Sequence, residues 1–269
     1  MISRKIPTIS GVLLIITGII SGIIVTSYVK RINTGPSESI APKDIRISNI
    51  SDSSFNVSWI TNTKTAGAVK WNSTQSNLNE EIKDSIRNPS YTHSVKFDDV
   101  SPTTTYYFAI TSNGQQFDNN TIPWQVKTAK KKTPNEKVKV ISGSVYDQFN
   151  VPAEDALVYV TVAGSNFLST TTSENGSWVI PISEARTQNL ESFTVVDEKK
   201  TLIEIFIQAG PPGSASVQIY PISARPAPPI ILGETYNFKA INSNIEQSPK
   251  AEISFPEGGF KNPTFLINE

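Results

Sequence analysis

Ser54-Phe55-Asn56-Val57-Ser58-Trp59, preceded by Ser51-Asp52-Ser53 and followed by Thr61-Asn62, is the stretch that decides the fold. Its apolar residues fall at every second position, the period of a strand that buries one face, and the flanking residues are turn formers. The same short unit recurs on either side. Ile45 and Ile47 come before it; Val69 and Trp71, then Tyr91, His93, Val95 and Phe97, then Tyr106, Phe108 and Ile110, then Ile122, Trp124 and Val126 come after. Runs of this kind at regular spacing predict a two-sheet β-sandwich over residues 41–129, with Phe55, Val57, Trp59, Tyr106 and Phe108 in its core. Leu78–Ile86 is too short and polar for an amphipathic helix and reads as a loop or single turn.

Beyond a Lys-rich linker at 130–136 the alternation resumes. Ile141, Gly143 and Val145 lead through a turn at Asp147–Pro152 to Ala156, Val158 and Val160, and a second turn at Gly164-Ser165-Asn166 leads to a strand at Thr170–Thr172. Glu174-Asn175-Gly176 predicts a hairpin, because Asn-Gly accepts the positive φ of a type I′ turn. Trp178 and Ile180 follow on one buried face, and Phe193 and Val195, Leu202–Ile207, and Val217 and Ile219 are the candidate later strands. These residues predict a second sandwich over 137–220. The Pro-rich tail, 221–269, is expected to be extended, to dock on the second sandwich, or to be the truncated start of a third repeat.

Two family resemblances rest on particular residues. Ser54–Trp59 together with Val100-Ser101-Pro102-Thr103-Thr104-Thr105-Tyr106-Tyr107-Phe108 resembles a fibronectin type III domain. The resemblance implies that Trp59 is a core residue and that the Tyr106 ring packs inward while its hydroxyl bonds nearby backbone. More narrowly, Trp59-Ile60-Thr61, Val69-Lys70-Trp71 and Tyr91-Thr92-His93 are similar to the N-terminal sandwich of purple acid phosphatases. That likeness reaches only the accessory domain, since the phosphatase's metal site needs several His and Asp ligands and there is one His in the whole sequence. Gly143–Asp147, Val151-Pro152-Ala153, Ala156–Val160 and Thr172–Trp178 resemble the carboxypeptidase regulatory-like, or transthyretin-like, sandwich, which implies a structural or accessory module.

The N-terminus is of another kind. No charge occurs between Lys5 and Lys30, and Ile9, Leu13, Leu14, Ile19, Ile23 and Val25 mark an apolar run, Ile9–Val29. A bilayer core needs about 20 apolar residues, so residues 1–31 read as one transmembrane anchor, followed by a linker at 32–40. The alternative is a cleaved signal peptide, with Arg4 and Lys5 as its charged start and a poor cleavage site at Val25-Thr26-Ser27. A signal core is typically about 7–15 residues, so length favours the anchor. Arg4 and Lys5 balance Lys30 and Arg31, leaving the positive-inside rule nearly silent. Everything foldable lies after Arg31, and its composition places the C-terminal side outside the cytoplasm, at the cell surface or in a periplasm. The expected fold class is therefore all-β: two tandem Ig-like β-sandwiches behind a single N-terminal transmembrane helix.

Composition bounds the chemistry. Formal net charge is zero, so no long-range field draws nucleic acid. The absence of cysteine removes disulfides, thiolate metal sites and cysteine nucleophiles. A lone His93 lacks partners for a transition metal and is read as a strand residue whose ring tucks against Tyr91 or Trp71. Glu154 and Asp155 are two solvated acids, short of the oxygens that calcium needs. No Gly-x-Ser-x-Gly turn or paired-carboxylate constellation is present, so no catalytic residue, metal ligand or cofactor site is nominated. The expected function is a membrane-anchored extracytoplasmic structural or interaction protein without catalytic activity. Its expected partners are the lipid bilayer and envelope proteins or glycans. One alternative is a glycan- or protein-binding adhesion module using exposed aromatics such as Trp71, Tyr107 or Trp124. The other is an accessory subunit related to metallophosphatase N-terminal domains.

Overall fold

Strand patterning with turn formers between the runs produces an all-β molecule. The computed structural model describes residues 38–86, 89–133 and 137–235, and the backbone alone of 236–237, 239–240, 251–253 and 265–267. The expected anchor, Ile9–Val29, lies outside these residues; among those described, no helix is long and apolar enough to cross a membrane.

The first sandwich contains β1 (Lys43–Ser48), β2 (Phe55–Thr65), β3 (Gly67–Asn72), β4 (Glu80–Lys83), β5 (Ser90–Phe97), β6 (Thr105–Ser112), β7 (Gln115–Phe117) and β8 (Trp124–Lys127). One sheet has the order β1-β2-β5 and the other β4-β3-β6-β7, with β8 also pairing β6. All of these pairs are antiparallel. The β2–β5 register sets Phe55 opposite Phe97 and Trp59 opposite His93, so inward residues meet as stacked pairs. Phe55, Val57, Trp59, Tyr106 and Phe108 are all buried in this core.

Two sequence expectations change here, and one strand is added. Leu78–Ile86 contains β4, whose charged residues occupy a sheet edge, where alternation gives little signal. Ile122 is exposed and precedes β8, and β7 is a short polar strand that hydrophobic periodicity does not reveal.

The second sandwich contains β9 (Val140–Tyr146), β10 (Leu157–Val162), β11 (Leu168–Thr171), β12 (Ser177–Pro181), β13 (Ile203–Gln208), β14 (Ser214–Ile219), β15 (Ile230–Ile231) and β16 (Thr235–Asn237). Its sheets have the orders β12-β9-β15 and β11-β10-β13-β14-β16. Trp178 and Ile180 are buried in the core with Ile141 and Val145 of β9. Trp178 crosses its partner Gly143 so closely that a Cβ there would sit 2.7 Å from the indole ring. Asn175-Gly176 does reverse the chain, but only Gly176 has positive φ, and Gly176 N–H bonds Ser173 O at 2.8 Å. The turn is thus not type I′, and β11 and β12 belong to opposite sheets. Local turn chemistry reverses the chain, while the core decides which sheet each arm joins.

Phe193 and Val195 form no strand. Phe193 makes an isolated bridge to Arg186, and Val195 is exposed. Past Ile219 the chain continues into the same core: Ala224, Ala227, Ile230 and Leu232 are buried there, β15 pairs in parallel with β9, and β16 pairs in parallel with β14. Residues 221–235 thus dock on and complete the second sandwich. Further on, β17 (Lys239–Ala240), β18 (Ala251–Ile253) and β19 (Phe265–Ile267) form a small antiparallel sheet.

Candidate functional site: a sealed imidazole network and the seam between the sandwiches

The ionisable side chains nearest to a reactive arrangement lie inside the first sandwich. His93, on β5, stacks on Trp59 at 4.9 Å between ring centroids. The ring therefore does not tuck against Tyr91 or Trp71: the cross-strand register faces it toward Trp59. Its Nδ1–H donates to Asp84 Oδ2 at 2.6 Å. Nε2 lies 3.0 Å from Thr65 Oγ1 and 3.3 Å from Thr61 Oγ1, both on the irregular end of β2. Asp84 Oδ1 accepts the backbone N–H groups of Ile86 and Ser94, each at 2.9 Å.

Hydroxyl, imidazole and carboxylate follow the order used by nucleophilic relays. Here, however, the side chains of His93 and Asp84 have 0% exposure, and Thr61 and Thr65 are equally sealed. A Cβ at Gly67 would lie 2.6 Å from His93 Nδ1 and 2.8 Å from the Trp59 ring, so β3 closes the array from above. No reacting group can enter. The network satisfies buried polar atoms where β2 leaves regular pairing and ties β4 to β5. Sequence reasoning missed Asp84, which sits in the stretch read as a loop. An acid nine residues before a lone strand His is no motif.

Tyr106 also spends its polar group internally, its hydroxyl accepting the Ser101 N–H at 2.8 Å. The three candidate binding aromatics are all half-buried. Trp71 packs on Phe97 and Tyr106, Trp124 stacks on Phe108, and Tyr107 points from the other face of β6. Among the described residues the exposed aromatic is Phe149, at 77%, beside Val151 at 55%. Both stand on the β9–β10 turn, where Asp147 Oδ1 accepts their N–H groups at 2.9 Å.

The second feature is the seam. β1 and β2 pair with Arg46 opposite Ser58, so these two side chains share the outer face of the first sandwich. That face meets β10, β11 and β13 of the second. Arg46 lies 4.9 Å from the ring centre of Tyr159, 5.1 Å from Phe167 and 4.7 Å from Phe206. Ser58 Oγ is 2.8 Å from the Tyr159 hydroxyl. Burial pushes the Tyr159 phenol up to about 12, against the lowering effects of the Ser58 hydrogen bond and the Arg46 charge. Ile86, Leu157 and Tyr159 are buried in this seam, with Ile60, Phe167 and Phe206 packed against them. At its rim Asn49 bonds the backbone of Ser169 and Phe167, Gln208 Nε2 donates to Asp44 Oδ2 at 3.0 Å, and Arg186 lies 3.5 Å from Asp52. Burial pushes the Arg186 pKa down and the Asp52 carboxylate opposes that shift.

Two open clefts flank the seam, with volumes near 400 and 430 Å³. The first is lined by Lys64, Tyr91, Asp147, Glu154 and Asp155; the second by Asn49, Asp52, Lys96, Lys132, Arg186 and Phe193. Among the described residues no three His, Asp or Glu side chains converge to hold a metal ion.

Antiparallel sheets in the orders β1-β2-β5 and β4-β3-β6-β7 around a buried Trp and a Tyr bonded to backbone define the first module as a fibronectin III-like β-sandwich. Residues 42–140 match the family model described as Purple acid Phosphatase, N-terminal domain. Among solved structures, one titled Structure of PhoD aligns at 15% identity and a TM-score of 0.27, over 42% of this chain and 24% of that one. The crystal structure of chicken CNTN1 FN1-FN3 domains aligns at 12% identity and a TM-score of 0.23, over 84% of each chain. The central fibronectin-III array of RIM-binding protein aligns at 15% identity and a TM-score of 0.25, over 69% of this chain and 65% of that one. A comparison with curated proteins found no match.

Proposed function

We propose that the chain is a non-enzymatic structural or interaction protein that carries two β-sandwich modules on a membrane anchor, outside the cytoplasm. The observation that carries this reading is the sealing of the His93–Asp84–Thr65 array: this hydroxyl–imidazole–carboxylate chain holds strands together and faces no cleft. The fibronectin III-like module supports a spacer or contact role. The resemblance of residues 137–220 to carboxypeptidase regulatory-like sandwiches supports an accessory module beside it. Anchoring rests on the apolar length of Ile9–Val29. A binding role within this class falls most naturally to Phe149 and Val151, whose exposed apolar surface the fold does not use.

Topology is the direct test. Protease added to intact cells or spheroplasts is expected to digest residues 41–235 while the chain fractionates with membranes. A protected fragment covering both sandwiches would overturn the reading. Recovery of a soluble mature chain beginning near Tyr28 would replace the anchor by a signal peptide and leave the module assignment standing.

A further inference from the structure

The outer faces of β1 and β2 carry a consequence for the whole tandem. In an isolated sandwich, Arg46, Ser58 and Ile60 would be solvent-facing residues of an alternating strand. Leu157, Tyr159 and Phe206 would be a bare apolar face on the second sheet. Instead Ser58, Leu157 and Tyr159 are buried, each by the other sandwich. Both sandwiches lie within one compact unit. An Arg guanidinium held over three aromatic rings gains cation–π attraction from each while its stem covers apolar surface. The rim contacts Asn49–Ser169, Asp44–Gln208 and Asp52–Arg186 surround this centre on several sides.

We propose that the two sandwiches form one cooperative, stiff unit rather than two beads on a linker, and that Arg46, seated in the Tyr159–Phe167–Phe206 cage, is its latch. The seam then sets the angle between the modules. This coupling is independent of whether the chain is anchored, so its test and the topology test fail separately.

The test uses the full-length chain in mild detergent and follows urea unfolding by pulsed hydrogen exchange with mass spectrometry. It compares peptides from β6 and β9, which lie away from the seam. In the wild type both peptides are expected to lose protection at the same urea concentration. In Arg46→Ala the two midpoints are expected to separate by about 0.5–1 M urea. Distinct midpoints in the wild type would overturn the cooperative unit. Coincident midpoints that Arg46→Ala leaves unmoved would remove Arg46 from the latch role.

The Tyr159 titration, assigned by difference against Tyr159→Phe, is a second readout. If Arg46→Ala opens the seam, the phenol returns from about 12 toward its ordinary value of about 10. If the seam stays shut, loss of the neighbouring positive charge moves it further up. The downward shift is the expected result, and an upward one would overturn the latch.

Discussion

Trp59 and Tyr106 stabilise the same core by different means, and their substitutions separate the two. Trp59 is fully buried and stacks on His93. Truncation to Ala removes a large apolar body and leaves a cavity, a change that typically costs about 3–5 kcal/mol. Tyr106 contributes its ring to the core and its oxygen to the Ser101 N–H. Tyr106→Phe keeps the ring and orphans that donor, at a cost of about 1–3 kcal/mol. Urea melts of the two variants are expected to rank them in that order. A Trp59→Ala chain as stable as wild type would contradict the burial. Both residues were legible in sequence because each sits in a period-two run. His93 was legible as an inward strand residue, but its partner was not, since nothing in a one-dimensional pattern pairs it with Asp84.

At the scale of the element, β4 and the irregular end of β2 depend on that one acid. Asp84 holds the Ile86 and Ser94 N–H groups with one oxygen and the His93 ring with the other. Asp84→Ala removes all three bonds from a sealed site and leaves donors without partners. Leaving a buried donor without its partner costs about 1–3 kcal/mol. Hydrogen exchange is expected to rise first in β4 and in the Thr61–Thr65 stretch. Unchanged protection there would mean that β4 is held by its pairing with β3 alone. β4 itself escaped sequence reading because charged edge strands, which guard against unwanted pairing, erase the alternation that identifies a strand. Phe193 and Val195 show the converse. Two apolar residues at strand spacing form no strand, since Phe193 instead covers the Arg186 guanidinium at 4.0 Å.

On the scale of the whole molecule, the second sandwich is completed from the far side of a Pro-rich segment. Ala224, Ala227, Ile230 and Leu232 enter its core, and β15 and β16 close an edge of each sheet. A chain ending at Ile219 would leave those core positions empty and expose β9 and β14 as edges. It is expected to melt well below the full chain or to aggregate, as followed by circular dichroism and light scattering. Equal stability of the two chains would show that residues 221–235 only lie against a finished domain. Docking was one of three outcomes that the Pro-rich composition left open. What selects it is apolar burial: a few small and branched residues spaced along the segment find a groove that exists only after both sheets have formed.

The sequence by itself determined which residues alternate, and so the all-β class, the inward faces and the fibronectin III-like core, because a strand's two-residue period is a local property of the backbone. It also marked an apolar run long enough to span a bilayer. Only the tertiary structure decided which outward faces stay wet. Arg46, Ser58 and Tyr159 read as ordinary positions of half-buried strands, and they meet because two sheets formed far apart in the chain pack face to face. Alternation records that a strand has two sides; it does not record what covers the second.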